Sequence, residues 1–311
     1  MPATDTQSLS EIINPVQIAE SVENAVYAAN PFRGLVWIKD CSEGRSPTCK
    51  FPRFNAIETT SSEANPKAEN AGPSVPVEVT AGAATANAEV VDLTLELTWE
   101  AEQDAGVRLD DLVSVAIPAL RQTMAKDCFS NLQSAVNVSN YAGQPLNITR
   151  LGEVFAEWDI QLPNPAAGPS ALVLHSRHLH QFQKALRASS ASIHVDPGLQ
   201  ELFGADGAYV GTYESVPIFK TPLMPQDGPS DLISGMLKIG QLSSESDREV
   251  NRFAGIGLAT WWGDDVNQGM FRGYRFLAKG EPGAYYVFIS VRYGSTLTND
   301  RNSRAIIAKA A

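Results

Sequence analysis

The hydrophobic positions of this chain change their period several times, and each change marks an element. The plainest alternation covers Glu89–Trp99: Val91, Leu93, Leu95, Leu97 and Trp99 point one way and Asp92, Thr94, Glu96 and Thr98 the other. That is the pattern of a strand with one buried face. Downstream the period becomes four. Leu112, Ala116, Leu120, Met124, Cys128, Leu132 and Val136 form a stripe, supported by Val113, Ile117 and Ala135. It predicts a helix from Asp111 to Val138, about 42 Å long at the usual rise. Asp110 and Asp111 put negative charge at its start, where the dipole favours it. Pro118 kinks it or marks where an initial turn hands over to the main helix. Cys128 lies in the stripe and reads as core filler.

Upstream, Asn14-Pro15-Val16-Gln17 is a helix start, with an Asn cap, Pro at the first position and Gln at the capping-box position. Val16, Ala19, Val22, Ala25, Val26 and Ala29 follow at helical spacing, Asn30-Pro31 ends the helix, and Phe32–Ile38 is a short strand. Lys50–Ile57 reads as a strand with an edge-type Pro52. Residues 58–88 are small and polar, apart from a short candidate strand at Val75–Val79. Two strands thus flank a long connection with little core of its own, which is stable only against a partner surface.

The remainder predicts mixed helices and strands. Ile148–Ile160 is a helix with Thr149 as its cap, Ala171–Leu174 a buried strand and His178–Ala188 a helix. Tyr213-Glu214-Ser215 turns a hairpin within Val210–Phe219. Met236–Ile239, Gly255–Trp262, Tyr285–Tyr293 and Ala305–Ala308 are further strands.

Composition narrows the function classes. The 311 residues carry a formal net charge of -11, which argues against wholesale nucleic-acid binding through a basic surface. The basic residues are scattered, with a mild cluster at Arg292, Arg301, Arg304 and Lys309. Cys41, Cys49 and Cys128 do not make a disulfide framework. Cys41 and Cys49 could close a short loop, but with a reducing setting as default they are expected to stay thiols. No signal peptide or apolar run of membrane-spanning length is visible, so the sequons at Asn137 and Asn147 have no secretory context.

Catalytic patterns are absent from the sequence: no nucleophile elbow and no phosphate loop. His175, His178 and His180, with His194 downstream, are not spaced for a tetrahedral metal set, and polar packing at a strand–helix junction is the expectation. Gly255-Ile256-Gly257 and the glycines at 204, 207 and 211 read as turns. Asp264 and Asp265, adjacent after Trp261-Trp262, make a poor acid/base pair. The Trp-Trp-Gly-Asp-Asp run could be a stacking platform or a protein contact, but packing plus a solvated turn is the plainer reading. No cofactor and no metal are expected.

The order of segments resembles the major capsid proteins of tailed bacteriophages, with the Hong Kong 97-type fold. Pro145–Phe155 and Pro169–Leu186 resemble the helix, strand and helix of the axial domain in that family, Val210–Thr221 its turn-and-strand element, and Tyr293–Leu297 with Arg304–Ile307 its closing strand pair. The resemblance implies an α+β fold: an N-terminal arm (1–44), an extended β-hairpin loop (45–99), a peripheral domain with a long spine helix (100–142 and 281–311) and an axial α/β domain (143–280). It implies no enzyme but a shell subunit assembling as pentamers and hexamers around DNA, without sequence-specific binding and without a membrane. Partners would be a separate scaffolding protein, since the arm starts too soon for a long built-in one, a portal and a decoration protein. The location would be the virion capsid, assembled in the host cytoplasm. Candidate inter-subunit contacts are Phe51, Phe54, Val75, Val77, Trp261, Trp262, Asp264 and Asp265, with Trp261–Gln268 at an axial tip. Some family members cross-link through a loop lysine; Lys67 lies in that region, and the activity is not carried over. An encapsulin-like nanocompartment shell is the alternative, and a hydrolase or carbohydrate-binding protein using His175, His178, Asp264 and Asp265 the third.

Overall fold

The computed structural model describes residues 35–42, 46–54, 81–98, 109–161, 170–189, 191–203, 208–239, 254–262, 271–277 and 284–309. The expected arm helix after Asn14, the strand at Val75–Val79 and Lys67 lie outside them. In chain order the elements are β1 (Val36–Asp40), β2 (Thr48–Phe54), β3 (Ala81–Asn87), β4 (Glu89–Thr98), α1 (Leu109–Ser130), β5 (Val138–Tyr141), α2 (Ile148–Gln161), β6 (Ser170–His175), α3 (Ser176–Ser189), α4 (Pro197–Phe203), β7 (Tyr209–Tyr213), β8 (Val216–Thr221), β9 (Gln226–Asp227), β10 (Asp231–Lys238), β11 (Ile256–Thr260), β12 (Phe271–Leu277), β13 (Ala284–Leu297) and β14 (Ser303–Lys309).

The first sheet runs β1-β11-β13-β12, with β4 also on β13. Register explains why β4 alternates. Val91, Leu93 and Leu95 sit directly opposite Val291, Ile289 and Val287. Those three β13 residues are fully buried, whereas Asp92, Thr94 and Glu96 face out. Helix α1 covers this apolar row with Ala116, Ile117, Leu120, Met124 and Cys128, all in the same core cluster. Burial raises the Cys128 thiol to about 12, with the Asp127 carboxylate adding to the effect, so it stays protonated and packs as an apolar group.

The long helix ends earlier than its stripe predicts. It stops at Ser130, a 3-10 turn covers Asn131–Ser134, and Val138 begins a strand. Side chains take over the last carbonyls: Ser130 Oγ donates to Asp127 O at 2.7 Å, and Asn131 Nδ2 to Asp127 O at 3.1 Å and Cys128 O at 3.2 Å. Leu132 and Ala135 are still buried, but Val136, counted in the stripe, is 71% exposed.

The second sheet runs β5-β14-β10-β6-β8-β7, with β9 on β10. Its central strands read as apolar runs because both faces are covered. Val173, Phe219, Ile233, Leu237 and Ala305 join the core under α1. Leu172, Leu174, Ile218, Met236 and Ile306 pack instead beneath Leu151, Val154, Phe155 and Trp158 of α2 and Leu179, Phe182 and Leu186 of α3. The expected domain border at residue 280 does not coincide with a sheet border. β11 and β12 pair in the first sheet, and β5 and β14 in the second.

Three local expectations are corrected. The cap of α2 is Asn147, whose Oδ1 accepts from Arg150 N at 2.9 Å, rather than Thr149. Gly257 and Gly211 lie in strands, not turns. A Cβ on Gly257 would come within 2.8 Å of the Phe51 ring, so the glycine makes room for an aromatic from another element. Cys41 and Cys49 form a disulfide, their Cα atoms 6.3 Å apart, because β1 and β2 converge over one small core. Sequence spacing carries no sign of that convergence.

The burial pattern predicts opposite outcomes on the two faces of the first sheet. Ile289→Ala should cost about 3 kcal/mol, whereas Thr94→Ala should cost less than about 0.5 kcal/mol. Urea unfolding of the dissociated subunit measures both, and equal losses would contradict the assigned faces.

Candidate functional site at the base of the hairpin

β2 and β3 pair from Thr48↔Asn87 to Phe54↔Ala81, a two-stranded ribbon outside both sheets. Its β3 strand is almost all small residues, Ala81-Gly-Ala-Ala-Thr-Ala-Asn87, and among its described side chains Ala84 and Ala86 are buried. Such a ribbon is marginal alone. Phe51 anchors it: fully buried, it lies against Gly257 and meets the Trp37 ring edge-on at 5.0 Å between centroids. Lys39 Nζ donates to Lys50 O at 2.7 Å, and Ala88 N to Pro47 O at 2.7 Å.

Arg53 joins the ribbon to the turn between β13 and β14. Its Nε donates to Thr298 O at 2.9 Å and its Nη2 to Leu297 O at 3.3 Å, while Nη1 lies 3.7 Å from Asp300 Oδ2. The same turn is held from the second sheet. Asn137 Nδ2 donates to Asp300 O at 2.7 Å, and Gln161 Nε2 reaches the carbonyls of Asp300, Arg301 and Ser303 at 2.9–3.2 Å. Asn137 and Asn147, which look like glycosylation sequons, thus both serve as structural hydrogen-bonding residues.

The sequence-derived contact candidates divide. Phe51 and Trp261 are buried within their own chain, not on its surface. Trp261 donates its indole N–H to Ser46 O at 2.8 Å and lies under the Arg292 guanidinium at 5.9 Å. It closes the core beneath the ribbon, so the expected place at an axial tip does not hold for it. Trp262 is half-buried beside that core. The Phe54 side chain, Val75, Val77, Asp264 and Asp265 lie outside the described residues. The basic cluster divides between the sheets: Arg304 on β14 pairs with Glu157 and donates to Ser139 Oγ at 2.8 Å, while Arg292 on β13 lies over Trp261.

His175 and His178 form a packing network. His178 is fully buried. Its Nε2 lies 3.1 Å from Ala308 O, which can only accept, so Nε2 carries the proton. Nδ1 then accepts from Ser234 Oγ at 2.7 Å, and that hydroxyl accepts from His175 N at 3.0 Å. Every polar atom is satisfied, and burial lowers the His178 pKa to about 4. Among the described residues no three His, Cys, Asp or Glu side chains cluster to hold a metal ion, and no described helix is long and apolar enough to cross a membrane.

No family model matches the chain, and no curated protein matches it by sequence. Solved structures do match. The head structure of Helicobacter pylori bacteriophage KHP40 covers 93% of this chain and 92% of its own, with TM-score 0.61 and 9% identity. The capsid of Ralstonia phage GP4 covers 90% and 88%, with TM-score 0.59 and 10% identity. The SrpI encapsulin complex of Synechococcus elongatus covers 89% and 86%, with TM-score 0.58 and 9% identity. The fold is the Hong Kong 97-type capsid fold. At this identity the likeness extends to the overall architecture and not to individual side chains.

Two predictions follow from these contacts. Arg53→Met should speed amide exchange across Thr48–Phe54 about tenfold, since it removes charge-assisted hydrogen bonds to Leu297 and Thr298; unchanged protection would show that the arginine does not hold the ribbon. Because His178 has a folded-state pKa below its unfolded one, the unfolded chain binds the extra proton as pH falls from about 6.5 to about 4. Stability is full above that window and declines through it by roughly 3 kcal/mol from this residue. His178→Gln should flatten that part of the pH profile, measured as urea midpoints at pH 7, 5 and 4.

Proposed function

We propose that this chain is the major capsid protein of a tailed bacteriophage, self-assembling into an icosahedral shell around double-stranded DNA. The observation that carries this reading is the fold, shared over about nine-tenths of the chain with phage capsid and head structures. The molecule's own physics supports it. A two-stranded ribbon whose β3 strand is nearly all small residues, with residues 55–80 joining its strands, is suited to lie across a neighbouring subunit. In this reading the chain is a structural subunit rather than an enzyme. It forms pentamers and hexamers, works with a separate scaffolding protein, a portal and a decoration protein, and assembles in the host cytoplasm into the virion capsid. The arm is 1–44, the extended loop 45–99, and α1 the spine of the peripheral domain. Residues 100–142 and 281–311 make up the peripheral domain, and residues 143–280, which include α2 and α3, the axial domain.

A nanocompartment shell is the second reading, favoured by the matches to an encapsulin complex and to the virus-like particle from Pyrococcus furiosus. Electron microscopy of the purified protein, with nucleic-acid and cargo analysis of the particles, separates the two. Closed shells are expected; a monodisperse monomer at every concentration, with and without scaffold, would refute both. Replacing residues 58–78 by a short Gly-Ser link should leave folded, soluble subunits that build no shells. Normal particles from that variant would remove the loop from assembly.

A further inference from the structure

A covalent bond ties the ribbon to the first sheet. Cys41 directly follows β1 and Cys49 lies in β2, and their Cα atoms are 6.3 Å apart. Each sulfur is carried to its place by contacts that do not need the bond. Cys41 N donates to Thr260 O at 2.8 Å, which extends the β1–β11 pairing by one residue. Cys49 sits opposite Ala86 in the ribbon and is buried in one core with Phe51, Ala84 and Trp261. Between the two cysteines, Ser46 O accepts from the Trp261 indole N–H at 2.8 Å, and on their flanks Lys39 Nζ donates to Lys50 O at 2.7 Å. These contacts hold the two sulfurs in register whether or not they are bonded.

The two sulfurs differ in access. Cys49 is 3% exposed, whereas Cys41 is half-buried at the rim of that core, next to the exposed Ser42. Exchange with a small thiol or disulfide in solution therefore starts at Cys41 Sγ. Cys128 is fully buried in the core under α1 and takes no part.

We propose that Cys41 and Cys49 are a redox latch on the ribbon, open as two thiols while subunits assemble and closed as a disulfide once the finished particle meets an oxidising medium. The oxidant is a low-molecular-weight disulfide such as glutathione disulfide. The Cys41 thiolate attacks one of its sulfurs, forms a mixed disulfide and expels one small thiolate. The Cys49 thiolate then attacks Cys41 Sγ and expels the second. Two protein thiols lose two protons and two electrons, and the small disulfide is reduced to two thiols. Reopening must first expel Cys49 as a thiolate inside an apolar core, which burial disfavours, so the closed latch is slow to reduce. This inference rests on the shell reading, which makes the subunit in a cytoplasm that keeps thiols reduced and releases the particle from it. While the latch is open, Phe51, Arg53 and backbone contacts hold the ribbon. Closure then removes the remaining freedom at its base.

The test uses the full-length chain, purified anaerobically with its thiols reduced and then divided, one half receiving glutathione disulfide. Alkylation and mass spectrometry should find Cys41 and Cys49 both modified in the first half and neither in the second. Amide exchange across Thr48–Phe54 should slow at least about tenfold on closure, in dissociated subunits as well as in particles. Particles should assemble from the reduced chain, and later oxidation should raise the urea concentration that disperses them. Cys41→Ser/Cys49→Ala should assemble like the reduced wild type and show no response to glutathione disulfide. Cysteines 41 and 49 that stay open to alkylation at equilibrium with glutathione disulfide would overturn the latch. So would equal exchange rates and equal urea midpoints in the two halves. Particles that form from the oxidised chain alone would overturn the order of assembly and closure while leaving the shell reading standing. A chain that forms no particles in either state would overturn the shell reading and with it the role of the latch, whatever the exchange rates.

Discussion

The backbone between Leu297 and Ser303 passes from the first sheet to the second, and its peptide groups must be satisfied at a junction of packed layers. Side chains from both sides supply the partners: Arg53 from the ribbon, Asn137 from the segment after α1, and Gln161 from the end of α2. Thr298 also donates its N–H to Gly255 O at 3.0 Å. A Cβ on Gly255 would come within 2.2 Å of Asn302 O, so glycine is what lets the two backbones approach. The two sheets, the ribbon and the long helix are positioned relative to one another through this turn.

The described residues divide into a firmly held part and a more lightly held one. β13 is 14 residues long and has neighbours on both edges, β4 on one and β12 then β11 on the other. With α1 against it, it forms a rigid beam. The Tyr293 hydroxyl donates to the Asp127 carboxylate, and Asn131 Nδ2 donates to Ser295 Oγ at 2.8 Å, locking the helix end to the strand. The ribbon is held at its base by one aromatic, one arginine and one disulfide. Such an anchor fixes the positions of Phe54 and Ala81, the two ends of the connecting segment.

Much of this was legible in the residues, and the reason differs by element. The Glu89–Thr98 alternation and the four-residue stripe report which side is buried, because burial on one face filters residue type at a fixed period. The ordered set of segments was specific enough to point to the fold. The site was less legible. Phe51 and Trp261 were recognisable as important, but large aromatics serve an interface and a core equally well; only the ring of Phe51 over Gly257 shows which. The hub residues Arg53, Asn137 and Gln161 gave no signal, since each bonds to backbone atoms more than 130 residues away.

By itself, then, the sequence determined the period of each element, the sides that would be buried, the core-poor loop and the acidic balance of the chain, because local spacing and composition carry these directly. Tertiary structure alone decided where α1 ends, that Cys41 meets Cys49, that β11 and β12 complete the first sheet, and that Trp261 turns inward. Each of those depends on which distant groups arrive at the same place, and a linear pattern has no term for that.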